Sequence, residues 1–138
     1  MLTVKELLKR SPIFLPETAT IREVAMELVK NKIGLLVLTA RENPKMPKAV
    51  VSERDVLRAV AQSLNLDGPA MSIANRPITV LDTDPVSAAA EKMRTHNIRH
   101  LVVVNKQGEL VGVLSVRDLC FEKAILLELA TAEAPTAP

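Results

Sequence analysis

The chain has 138 residues, 48% of them apolar, a net charge of +2, and only two aromatic side chains, both phenylalanine. That length and apolar share suit one compact domain with a packed core and exclude wholesale disorder, while scattered Lys and Arg without stacking rings argue against nucleic acid as a partner. Cys120 is the only cysteine, so an intrachain disulfide or cysteine-cluster metal site is excluded; with no secretory pattern and no membrane-length apolar run, a soluble cytoplasmic protein is expected.

Residues 3–10 (TVKELLKR) predict a short leading helix stopped by Pro12, and Ile13-Phe14-Leu15 a brief strand. Thr20 with Glu23 is a capping-box pattern. The helix it opens aligns Ile21, Val24, Ala25 and Leu28 on one face and ends at Asn31-Lys32. An apolar strand over residues 34–39, a polar, proline-containing connection over 40–47 and a return strand over 48–51 follow. Ser52 opens a second helix expected to bury Val56, Leu57 and Val60. Residues 61–76, with Asp67-Gly68-Pro69, read as a linker.

The elements then recur. Ile78-Thr79-Val80 predicts another short strand, and Asp84-Pro85 a helix start with Asp at N-cap and Pro at N1. Val86, Ala89, Ala90 and Met93 form the expected buried face of that helix. Residues 101–104 and 110–114 make a hairpin across Asn105-Lys106-Gln107-Gly108. Ser115 opens a last helix expected to reach about Leu129, ahead of a frayed tail from Ala134.

The recurrence is a true repeat. Residues 12–38 match 77–103 at a constant offset of 65, and beyond the hairpin the offset becomes 63. Val50, Ser52, Arg54 and Asp55 thereby fall on Val113, Ser115, Arg117 and Asp118. The predicted fold is mixed α/β (α+β): two pseudo-symmetric β-α-β-β-α units packed sheet to sheet as one module, with clefts between them. The expected boundaries are 1–60 for the first unit with its leading helix, 61–76 for the linker, 77–130 for the second unit and 131–138 for a flexible tail.

With Ile-Arg-His-Leu-Val-Val-Val at 98–104 and Gly112-Val113-Leu114-Ser115-Val116-Arg117-Asp118, the tandem unit resembles the cystathionine-β-synthase (CBS) domain family. In that family the second hairpin strand enters a helix through Gly-x-x-Ser/Thr-x-x-Asp. The first copy reads Ala49-Val50-Val51-Ser52-Glu53-Arg54-Asp55, with Ala in place of Gly. The resemblance covers about residues 3–125. It implies a regulatory rather than catalytic module that takes AMP, ADP, ATP or another adenosyl ligand between its two motifs. It also implies a homodimer, a disc of four motifs. Nothing is fused to the repeat here, so a stand-alone module acting on some protein target is expected, with no required cofactor and no metal.

The residues themselves admit that chemistry. A helix N-terminus offers unpaired N–H groups and a positive dipole end to phosphate. Ser115 adds a hydroxyl and Arg117 a guanidinium, while the Asp118 carboxylate suits the two hydroxyls of a ribose, the role the family implies for it. Ser-x-x-Asp at a helix start is equally a capping box with no function. Arg99 and His100 match family positions for phosphate contact, and Leu101 beside them is expected among the ligand-binding residues. Ile78, Thr79 and Val80 match the short strand that forms the family's adenine slot. Ile13, Phe14, Ser52, Arg54 and Asp55 are the counterparts in copy one. Copy one has Gly34-Leu35 where copy two has Arg99-His100, and the Ala49 methyl is expected to crowd a ligand there, so the second cleft is expected to be the better one. His96 and His100 are spaced i, i+4, but a helix end is expected between them, which argues against a shared metal. Cys120 follows an apolar residue and reads as core. The rival readings are an adaptor or dimerisation module without a nucleotide, and a sensor of S-adenosylmethionine type. No nucleophile–base pair, metal set or phosphate loop argues for an enzyme.

Overall fold

A computed structural model describes residues 2–120. The expected continuation of the last helix to Leu129, the tail from Ala134 and the side chain of Cys120 lie outside what it describes. Two three-stranded sheets carry the fold. The first unit runs β1 (Phe14–Pro16), α2 (Ile21–Asn31), β2 (Leu35–Ala40), β3 (Asn43–Ser52) and α3 (Glu53–Ala61), after a leading helix α1 (Val4–Leu7). The second runs β4 (Thr79–Leu81), α4 (Val86–His96), β5 (His100–Val104), β6 (Leu110–Ser115) and α5 (Val116–Cys120). Each sheet joins its short strand in parallel to the hairpin's first strand, and the hairpin is antiparallel.

One face of each sheet covers its own helices. Val24, Leu28, Leu36, Leu38 and Val51 form the core of the first unit, and Ala89, Met93, Leu101, Val103 and Leu114 that of the second. The other faces meet through Val37 and Val50 of one sheet and Val102 and Val104 of the other. This accounts for the near-continuous apolar strands: β2 and β5 are buried on both faces. Leu101→Ala is therefore expected to cost about 2–5 kcal/mol of stability, read from the denaturation midpoint; a loss comparable to that of a surface substitution would contradict its place in the core.

The leading segment of each unit packs on the other unit. Val4 and Leu7 of α1 belong to the core of the second unit. The Val4 N–H donates to Asp84 O (2.9 Å), and Val86 N–H to Leu2 O (3.1 Å). In mirror fashion Ala70, in a 3-10 turn at Ala70–Ser72, is buried in the first unit, with Ala70 N–H on Ala19 O (2.9 Å) and Ile21 N–H on Gly68 O (3.0 Å). Thr3 bridges Pro85 as Pro69 bridges Thr20. These exchanged contacts tie the two halves together, as does the exposed Arg22–Asp67 pair (2.9 Å) between α2 and residues 61–76.

Several expectations are corrected. The polar connection over 40–47 is mostly strand: β3 begins at Asn43 and carries Pro44 and Pro47. It tolerates them because it is an edge strand and its pairing shifts register around Thr39. On α3 Val56 packs partly buried against the first core as expected, but Asp55 and Ala59 are the buried residues, whereas Leu57 and Val60 are 69% and 54% exposed. The helix carries two apolar stripes, and the Ser52 cap fixes the rotation that buries only one. On α4 Ala89 and Met93 are buried but Ala90 is exposed. Its N-cap is Pro85, held extended beside Thr3, while the Asp84 carboxylate accepts from Leu81 N–H (3.1 Å) instead.

Candidate functional site

The second strand-to-helix turn builds one wall of a cleft. Ser115 N–H and hydroxyl both donate to one Asp118 carboxylate oxygen, Oδ2, at 2.8 and 3.1 Å. Among the described contacts the other oxygen, Oδ1, takes no hydrogen bond. Val116 N–H donates to Arg99 O (2.8 Å), which fastens the start of α5 to the start of β5 and brings Arg99 and His100 beside Ser115. The opposite wall comes from the first unit, through Pro12, Ile13, Ile33, Gly34 and Leu35. A Cβ built on Gly34 would stand 3.3 Å from His100 Cε1, so the imidazole uses the room that a glycine leaves.

Two adjoining cavities, of about 340 and 550 Å³, meet at Gly34, His100, Ser115 and Arg117. Lys9, Arg10 and Asp118 line the first, and Arg99 and Glu53 the second. Lys32 lines both. Five cations thus face two carboxylates, an excess of positive charge suited to a phosphate. Lys32 is the left-handed C-cap of α2 (φ 54°), and Asn97 holds the matching place after α4.

His100 is held below the usual histidine range. Burial disfavours its charged form and Arg99 adds to this, while the Glu53 and Asp118 carboxylates act in the opposite sense. A folded-state pKa below the unfolded one adds stability above the unfolded pKa of about 6.5, and that stability fades as pH falls through the folded value. Wild type is expected to lose stability between pH 7 and 5 relative to His100→Gln in chemical denaturation; parallel curves would remove His100 as the cause.

The first turn has the same cap but a different occupant. Asp55 Oδ2 accepts from Ser52 N–H (2.8 Å) and from the Ser52 hydroxyl (2.9 Å). It also accepts from the side-chain amide of Asn75 (3.1 Å). Asp55 is 8% exposed and lines none of the three cavities described.

A family model described as CBS domain matches residues 4–62 and again 70–124. The chain belongs to the CBS-domain family. Its two CBS motifs resemble those of a CBS domain protein from Pyrobaculum aerophilum, solved in complex with AMP: 79% identity over 95% of this chain and 100% of that one, TM-score 0.89. The CBS pair of protein MJ0100, solved with 5′-methylthioadenosine and S-adenosyl-L-methionine, shares 27% identity over 86% of this chain and 96% of that one, TM-score 0.77. A 17.7 kDa protein of Acidianus ambivalens is 30% identical over 72% of this chain, which spans 60% of that relative's length.

Of the residues singled out in the sequence, the CBS pair gathers Arg99, His100, Ser115, Arg117 and Asp118 around one cleft, with Ile13 opposite. Ile78, Thr79 and Val80 line neither of the two adjoining cavities: Val80 is buried in the second core and Thr79 O accepts from Lys92. Leu101 is fully buried. Phe14 (39% exposed) and Arg54 lie outside both cavities, and Ser52 and Asp55 cap α3. Ile13, just ahead of the first short strand, instead faces the strand-to-helix turn of the second motif. The Ala49 methyl crowds no ligand, because it sits in the first core. Gly112 is a glycine under Leu8, whose Cδ1 would be 3.0 Å from an added Cβ. His96 ends α4 and His100 begins β5, so they do not share a helix face. Lys9, Arg10 and Lys32 escaped the sequence reading, although the Lys9-Arg10 run just ahead of Pro12 was a visible signal.

Proposed function

We propose that this CBS pair is a regulatory module that binds an adenine nucleotide, AMP foremost, in the cleft between Asp118 and Ile13. The observation that carries the reading is the AMP complex of the Pyrobaculum aerophilum relative, 79% identical over 95% of this chain. The cleft geometry supports it. Asp118 Oδ1 suits ribose hydroxyls. Backbone and apolar side chains at Pro12-Ile13 suit adenine. The α5 N-terminus, Ser115, Arg117 and the surrounding lysines and arginines suit phosphate.

The MJ0100 complex favours a second reading, an S-adenosylmethionine or methylthioadenosine sensor. The charge of the cleft argues for the phosphate ester, since a sulfonium cation gains nothing from five basic neighbours. The sites act by population shift, so the ligand must prefer one of two states of the module or its assembly. That assembly is a homodimer through α2 and α3, where Met26, Val29, Leu57 and Val60 expose apolar side chains on packed helices. A partner protein reads the state, and no chemical turnover is involved. A thermal-shift panel of AMP, ADP, ATP, NAD and S-adenosylmethionine tests the reading: one adenosyl ligand stabilises the protein, and a flat panel on a folded dimer returns the module to an adaptor role.

A further inference from the structure

We infer that Asn75 plugs the first cleft, so that the protein takes one nucleotide per chain; the inference rests on the nucleotide reading above. The two Ser-x-x-Asp turns are alike in their caps and differ in what reaches the carboxylate. At the first turn, Asn75 makes a main-chain bridge with Val50, N–H to O at 2.9 Å in both directions, and its amide donates to Asp55 Oδ2 at 3.1 Å. Arg58 Nη1 stands 3.5 Å from the other oxygen, Oδ1, so neither oxygen of Asp55 is left open to a ribose hydroxyl as Asp118 Oδ1 is. The bridge also closes the outer edge of β3 with the chain's own backbone.

The second turn lacks this closure. The repeat offset puts Arg10 where Asn75 stands and Val113 where Val50 stands. Among the described residues no bridge joins that segment to Val113; Leu8, Lys9, Arg10 and Val113 instead line the 340 Å³ cavity. The asymmetry comes from sequence. Asn75 is short enough to bond Asp55 from a segment zipped onto β3. Arg10 instead sends its guanidinium to Asn31 O (3.2 Å) and leaves Asp118 open.

Calorimetric titration with AMP tests this. Wild type is expected to bind one AMP per chain. Asn75→Gly removes the amide and loosens the bridge, and is expected to bind a second, weaker equivalent that Asp118→Ala in the same background leaves in place. Two equivalents in wild type, or still one in a folded Asn75→Gly, would overturn the plug while leaving the nucleotide site standing. No binding to either protein would overturn the nucleotide reading, and the plug with it.

Discussion

Asp118→Ala is expected to abolish the ligand-dependent stabilisation of the protein at little cost to the unliganded fold. In wild type, a ligand at about 100 times its dissociation constant adds roughly 2.7 kcal/mol by mass action, which for a domain of this size is a shift on the order of 10 °C. On the proposed binding mode, removing the carboxylate removes the acceptor for the ribose hydroxyls, so the shift is expected to collapse. The unliganded cost is that of a lost helix cap, about 0.5–2 kcal/mol. Asp55→Ala supplies the control, because Asp55 makes the same cap bonds to Ser52. It loses a comparable cap together with the Asn75 bond and is expected to keep the full ligand shift. Equal ligand shifts in Asp118→Ala and wild type would assign Asp118 to capping alone.

Leu57→Glu with Val60→Glu is expected to convert the proposed dimer to a monomer. Both side chains are more than half exposed in the single chain, so the substitutions leave its fold nearly untouched. Across a two-fold interface they would place four carboxylates against an apolar partner face. Desolvating unpaired charges costs several kcal/mol, and each 1.4 kcal/mol is tenfold in affinity, so dimer affinity falls on the order of a thousandfold or more. Sedimentation equilibrium reads the outcome directly: wild type at twice the 15.0 kDa chain mass and the variant at the chain mass. A monomeric wild type, or a variant that still sediments as a dimer, places the interface elsewhere or removes it.

The repeat determined most of the architecture before any coordinates. The shared offset placed both short strands, both hairpins and both Ser-x-x-Asp turns, because such local signals lie within a few residues of each other. Thr20 with Glu23 and Ser52 with Asp55 cap the helices they were expected to cap. Tertiary structure alone decided which pieces face each other. The leading helix packs on the second unit, and Ile13 rather than Ile78 lines the cleft with Asp118. Nothing local distinguishes these pairings, since Ile13 and Ile78 carry the same signal and the pseudo-twofold axis chooses between them. The rotation of α3 was also decided by the fold: Leu57 and Val60 were expected inside, and Asp55 and Ala59 are buried in their place. A difference between the two turns was legible at Gly34 and Arg99, but the bond from Asn75 to Asp55 was not: it joins residues 20 apart, a contact that only folding creates.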